Sequence, residues 1–488
     1  MNAALAVNIL KYGIPRGDDG INRLVFNSPL DLNKDSVWVY SPWLSLYITA
    51  ASFAIFGENE FAARLPFAVF GFLSVMFLFY LVWDIFKDRQ MALITLLLSV
   101  TSEVLILHSR QCRYYSVAIF MQVLFIFAFY LLIKRKRAGI VLIVISLTCQ
   151  FYNNYMFVPG NIMLLLFAGF MLRKKYHGEF KDSIIAAVTV SLFALIWVIY
   201  ARLWSQTIYV GGNSFYQKLL FYLMEINMTM FPLLILLPFV FFRKNDYVIS
   251  DISRDMIIFT ICIIPFQLVI LVNFQVTIIR YIIVLVPVFI VLLAFVLRRI
   301  TPVLRYSLLG IICATNIAGY AGMFIFKAIE PTGSRFEYQR PRITIKDIFM
   351  ERITPYVNRS EELIAFLKEN VRPGQTLLVC EPEFPLIFYT NLKVLDFHYY
   401  ADSGLTEIPD WIIPQSISGL VVGGKTFSIE GNLEFLQQNY DKIILEVHNS
   451  KIGGSITDPD LYEYFTPPDK TQFIIFKKKT LPAAGKHI

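Results

Sequence analysis

The chain has 488 residues, of which 56% are hydrophobic and only 16% charged, with a mean hydropathy of +0.58. A soluble domain carries about 25% charged residues, so a soluble globular class is excluded and a polytopic α-helical membrane protein is expected. The formal net charge of +8 would also suit nucleic acid, but its cations fall in alternate loops, a topological pattern that argues against a nucleic-acid partner.

In chain order, "MNAALAVNILKYG" reads as an amphipathic helix lying along a membrane interface, stopped by Gly13 and Pro15. It has neither the charged n-region nor the long apolar stretch of a signal peptide. Apolar runs of about 17–25 residues, enough to cross a hydrocarbon layer of about 30 Å, then recur. They fall near 64–84, 91–108, 115–133, 138–156, 157–172, 183–203, 217–242, 255–274, 278–297 and 304–327, about ten spans. The fifth run is short, and the two segments joined by "YNNYMFVPG" read alternatively as a re-entrant pair.

The loops alternate in charge. Lys87 and Arg89, "KRKR" (134–137), Arg173 to Lys175 with Lys181, Arg243, Lys244 and Arg254, and Arg298, Arg299 and Arg305 form one set. The positive-inside rule makes this set cytoplasmic. Residues 1–60, "HSRQCRYYS" (108–116), Tyr152–Tyr155, residues 204–216, the turn before Arg280 and everything after about 328 then face outward. An outward first segment needs an upstream membrane helix, so the sequence is expected to begin downstream of its true start.

From about residue 337 the pattern changes. "RSEELIAFLKEN" predicts a helix, "RPGQ" a turn and "TLLVC" a buried strand. "KVLDF", "DWIIP", "DKIILEV" and "TQFIIFK" add strands, and "NLEFLQQNY" adds a helix. Alternating helices and short strands predict a small extracytoplasmic α/β domain over 337–488, following a transmembrane domain over 1–330 that includes the outer helices of 1–60. "VVGGK" (421–425) lacks the spacing of a phosphate loop. The five cysteines show no paired spacing and read as small core residues. No His/Cys cluster points to a structural metal, while a divalent metal held by carboxylates stays open.

Arg110 and Arg113 stand on the outer side, where topology asks for no positive charge, and Arg64, Arg202, Lys218 and Arg280 fall near outer helix ends. An arginine near hydrocarbon is costly unless it snorkels or is paired. Several at one boundary suit an anionic ligand at the outer leaflet, since a guanidinium forks onto phosphate oxygens and tyrosine hydroxyls add donors. The competing reading is a set of snorkelling anchors and interfacial tyrosines.

Three segments carry a resemblance. "SPWLSLYITAASFAIFGENEFAARLPFAVFGFLSV" (41–75), "SRQCRYYSV" and "RYIIVLVP" (280–287) together resemble the membrane glycosyltransferases of the GT-C fold, in particular glycosyltransferase family 39. That group contains protein mannosyltransferases and the lipid A aminoarabinose transferase. The resemblance implies a polyprenyl-phosphate sugar donor and transfer to a glycan, lipid or protein acceptor outside a cell membrane. Arg113 and Arg280, with Arg110, Tyr115 and Tyr281, would hold the phosphate. The lysine of the lipid A branch is absent, Ser41 and Pro42 standing in "YSPW", which disfavours an aminoarabinose donor.

The family's carboxylate base precedes a helix like "NAALAVNILKYG", a point that lies before Met1. The resemblance therefore implies a base upstream, the alternative being an inactive fragment. Within the chain, Asp18 and Asp19 in "RGDDG" are base or metal candidates, or simply turn residues. Glu103 and Glu225 are intramembrane acids, functional or paired, and Asn153 and Asn154 line a cavity or cap a helix. An O-antigen polymerase or ligase would concentrate its chemistry in one large loop between late helices. A lipid-linked substrate transporter or flippase would show two matching halves. Neither pattern is found.

Overall fold

The computed structural model describes residues 1–24, 31–175, 179–205, 214–230, 232, 249–274, 279–320, 323, 341–354, 359–372, 374–379, 383–390, 392–396, 409–414, 420–422, 425–427, 433–448 and 470–479. Among these, Met1–Val39 and the residues from Thr354 onward form one compact unit, and Tyr40–Ile353 forms the other.

The first unit opens with α1 (Asn2–Tyr12), which ends at Gly13 in the left-handed region, φ 77°. Glycine tolerates that conformation without steric cost, so the helix stops where the sequence reading placed its end. The helical unit follows. α2 (Leu44–Phe56) is too short to span, and Asn59 caps α3 (Glu60–Phe86) by accepting from the Ala62 N–H at 2.9 Å. Pro66 lies inside α3 and has no N–H for the Ala62 carbonyl one turn before. Ser52 of α2 fills the gap, its Oγ donating to that carbonyl at 2.6 Å.

α4 (Arg89–Val100) and α5 (Glu103–Ser109) form a pair bent by 57°. After them come α6 (Tyr115–Ile133), α7 (Ala138–Asn153), α8 (Val158–Leu172), α9 (Glu179–Tyr200), α10 (Phe215–Thr229) and α11 (Asp251–Asn273). A 3-10 turn over Ile279–Leu285 runs into α12 (Val286–Arg298), and α13 (Pro302–Ala314), α14 (Ile317–Tyr320) and α15 (Thr344–Ile353) complete this unit.

Each expected apolar run coincides with helix where it is described, and six described helices are long and apolar enough to cross a membrane, or seven with the bent pair, beside an expectation of about ten for the whole chain. α7 and α13 are too short by the same measure, and the runs 217–242 and 304–327 continue outside the described residues. Between the helices, Gln122, Gln150, Asn161 and Gln267, all wholly buried, bond to one another and tie α6, α7, α8 and α11 together. In hydrocarbon such amides find no water, so they serve as interhelical glue.

In the first unit, α16 (Arg359–Asn370) precedes β1 (Thr376–Val379), followed by α17 (Glu383–Thr390), β2 (Lys393–Asp396) and β3 (Trp411–Ile413). β4 (Leu420–Val422) and β5 (Lys425–Phe427) pair antiparallel across the "VVGGK" segment, whose two glycines lie outside the described residues. α18 (Leu433–Asn439), β6 (Tyr440–His448) and β7 (Lys470–Lys478) follow. The main sheet has the order β2-β1-β3-β7-β6, parallel through β2, β1 and β3 and antiparallel through β7 and β6. All four residues of the inner parallel strand β1 are buried, as a strand covered on both faces requires.

The sequence boundary grouped residues 1–60 with the helices, whereas Met1–Val39 packs with this sheet. The reason is visible at Asn22, whose buried amide donates to the Leu392 carbonyl at 2.9 Å and accepts from the Val394 N–H at 2.7 Å. It substitutes for a neighbouring strand along β2.

Candidate functional site

The helical unit has two chemically different ends. At one end the sequence's basic loops carry their own counter-ions. Arg298 Nε meets Asp88 at 2.6 Å, Lys175 meets Asp255 at 2.5 Å, and Lys134 lies 3.7 Å from Asp84. Ser253 Oγ reaches the Ile85 carbonyl at 2.8 Å, so these helix ends share one level.

At the opposite end, where α5 turns into α6 and α7 into α8, two arginines gather without carboxylates among the described residues. Arg113 Nη1 donates to the Tyr115 hydroxyl at 3.3 Å. Arg280 stands over the Tyr281 ring, 5.6 Å from its centroid, and the turn that carries both packs on α6. Tyr114 lies within electrostatic reach of Arg113, Arg280, Tyr115 and Tyr281 together. Its ring stacks edge-on with Tyr115 at 4.5 Å between centroids. Among the described residues no carboxylate pairs with Arg113 or Arg280, and the buried Nε of Arg280 has no hydrogen-bond partner.

The sequence therefore named residues that the fold brings together: Arg113, Tyr115, Arg280 and Tyr281. It passed over Tyr114 and placed Tyr155 only loosely. Tyr155, within reach of Tyr40 and Tyr281, adds a further hydroxyl to the cluster. Both tyrosines stood in the quoted stretches, but only packing showed which of them turn inward. Asn153 also reaches this region, its Nδ2 donating to the Tyr114 carbonyl at 2.8 Å, whereas Asn154 is a helix cap that accepts from the Met156 N–H at 3.1 Å. Arg110 follows α5 as its half-buried C-cap, and Ser41 is half-buried just ahead of α2.

The other cations that the loop-charge pattern predicts to face outward have different occupations. Arg64 pairs with Glu60 on an exposed helix face, and Lys218 donates to the Phe274 carbonyl that ends α11. Arg202 is exposed.

The acids are placed as follows. Asp18 Oδ1 accepts from the Gly20 N–H at 2.9 Å, and Asp19 Oδ1 accepts from the Ile21 and Asn22 N–H groups at 2.8 and 2.6 Å. These are turn bonds. Glu103, at the bend between α4 and α5, takes a two-pronged bond from Arg342, which also reaches Asp347 at 3.1 Å. Glu103 and Arg342 line a cavity of about 100 Å³ shared with Thr101, Asn227, Thr315 and Asn316. Glu225 is buried on α10. Among the described residues no three His, Cys, Asp or Glu side chains converge on a point that would hold a metal.

The path of these helices is shared with solved structures. ArnT from Cupriavidus metallidurans in the apo state aligns over 97% of this chain and 92% of its own, at 10% identity and a TM-score of 0.53. The same protein bound to undecaprenyl phosphate aligns over the same shares, at 11% identity and a TM-score of 0.57. The chain has the GT-C fold.

Residues 41–204 match the family described as dolichyl-phosphate-mannose-protein mannosyltransferase, so the resemblance carried by "SPWLSLYITAASFAIFGENEFAARLP" extends well past that segment. No curated protein sequence matches the chain. With its long apolar helices and a membrane-enzyme fold, this GT-C chain is an integral, multi-pass membrane protein.

Proposed function

We propose that this GT-C chain is a glycosyltransferase that takes a sugar from a polyprenyl-phosphate donor and passes it to an acceptor on the non-cytoplasmic side. One observation carries the reading: Arg113 and Arg280 share a tyrosine-lined cluster with no carboxylate among the described residues, while Lys134, Lys175 and Arg298 at the opposite end each meet an aspartate. Guanidinium groups held at a helix end without counter-ions have a standing deficit of negative charge, and a lipid-linked phosphate meets it at the right depth. The family match over residues 41–204 and the undecaprenyl-phosphate complex of ArnT support the same donor class.

In the reaction, the acceptor's oxygen or nitrogen attacks the anomeric carbon as the carbon–oxygen bond to phosphate breaks. The acceptor loses a proton to a base, and the leaving polyprenyl phosphate gains negative charge. Arg113 and Arg280 act on that charge, the place where fixed cations lower a barrier most. The proton acceptor is assigned to none of Asp18, Asp19 and Glu103, because turn amides and Arg342 already hold them.

The test is transfer from a polyprenyl-phosphate sugar by the purified full chain, with Arg113→Ala and Arg280→Ala compared at matched folding. Each is expected to lose transfer by about 100-fold, as removal of a charge-assisted contact does. Wild-type rates in both variants would refute the assignment.

A further inference from the structure

His108 heads the quoted segment "HSRQCRYYS", yet the phosphate reading gives it no part. It is wholly buried on α5. Its Nδ1 stands 2.8 Å from the Val104 carbonyl, which can only accept, so Nδ1 carries the proton and Nε2 presents a lone pair. That Nε2 is buried and has no hydrogen-bond partner among the described residues. The ring meets Tyr115 edge-on, centroids 4.7 Å apart at 82°, and both Arg113 and Arg280 lie within its electrostatic reach.

An acceptor sealed from solvent is costly without a donor. The complementary orphan lies in the same cluster: the buried Nε–H of Arg280 also has no partner among the described residues. We propose that His108 is a positioning residue for Arg280, its Nε2 accepting the Arg280 Nε–H once a phosphate draws the outer guanidinium nitrogens toward itself. The inference rests on the donor-phosphate reading and deepens it. A guanidinium turns about its Nε bond, so an acceptor at Nε fixes the plane from which the two outer nitrogens fork onto phosphate. His108 would thereby set how well Arg280 grips a phosphate without touching the lipid itself. The alternative is a packing histidine that only supports Tyr115.

Substitutions separate the two, because asparagine keeps a polar group at the δ position and glutamine keeps one at the ε position. Binding of polyprenyl phosphate by the purified full chain is measured for wild type, Arg280→Ala, His108→Asn, His108→Gln and His108→Phe, with unfolding temperature as the folding control. His108→Asn and His108→Phe are expected to weaken binding about tenfold, and His108→Gln to recover most of that loss. In an Arg280→Lys background, which has no Nε–H, His108→Asn should weaken binding no further. Should His108→Asn and His108→Phe bind as tightly as a wild type that does bind, or should His108→Gln fail as badly as His108→Asn, His108 is a packing residue and the inference falls alone. If wild type itself shows no binding, or Arg280→Ala binds like wild type, the phosphate reading falls and takes this inference with it.

Discussion

Arg342 donates through Nη1 and Nη2 to the two carboxylate oxygens of Glu103, each at 3.0 Å, across 239 positions of sequence. Both side chains are about nine-tenths buried, at 9% and 11% exposure, and Asp347 shares the same guanidinium. Replacing Arg342 with methionine strips the cation from two buried carboxylates. That loss costs about 3–5 kcal/mol, far more than an exposed pair would. Thermal unfolding of purified Arg342→Met should show a large drop. Adding Glu103→Leu should restore only part, because Asp347 still lacks its guanidinium. A drop no larger than that of Arg64→Ala, an exposed helix-face pair, would contradict this account.

Arg280→Lys keeps the charge at the cluster and removes the fork. A lysine ammonium is a point charge that cannot hold two phosphate oxygens in one plane. Binding of polyprenyl phosphate should therefore weaken by about tenfold in Arg280→Lys, less than in Arg280→Ala. Equal losses in the two variants would mean that charge alone matters little and geometry everything. Loss in alanine only would mean the reverse.

The Ser52–Pro66 arrangement makes a local prediction. Ser52→Ala leaves the buried Ala62 carbonyl without its donor, at a cost of about 1–3 kcal/mol. Pro66→Ala supplies an N–H at the missing rung of α3, so the cost of Ser52→Ala should shrink in that background. Calorimetric unfolding of the four proteins in the cycle gives the coupling directly. Simple additivity would show that Ser52 is not there for the proline.

Glu362, in the α/β unit, predicts a pH dependence. Burial alone would raise its carboxyl, but the His448 backbone N–H at 2.8 Å and ring Nδ1 at 2.7 Å outweigh that, and the group titrates below its ordinary value. A lowered folded value means the stabilisation is complete above the unfolded value, about 4.3, and is lost as pH falls through the folded one. Unfolding temperatures of wild type and Glu362→Gln should differ near neutral pH and converge in acid. A gap that widens on acidification would have the wrong sign.

Local chemistry was largely legible from sequence. "TLLV", "KVLD", "WII" and the last two strands fall where short apolar runs predicted them, and Gly13 and the "RPGQ" turn, with Gly374 at φ 89°, stop their elements as backbone sterics require. The apolar runs became helices for the same reason: a chain in hydrocarbon must satisfy its backbone within itself. Span length was less legible, because bends such as the one at Thr101 and Ser102 break a continuous apolar run without changing its composition.

Position in sequence determined which end of each helix carries cations, since charge is costly in hydrocarbon and must wait for the loops. It could not determine which cations already have partners. Lys218 and Phe274 are 56 positions apart, Arg298 and Asp88 are 210 apart, and only the closed bundle brings them together. Among the described residues, the same closure leaves Arg113 and Arg280 beside tyrosines and paired with no acid. Pairing is a property of distance in space, and the order of residues along a chain does not encode that distance until the helices pack.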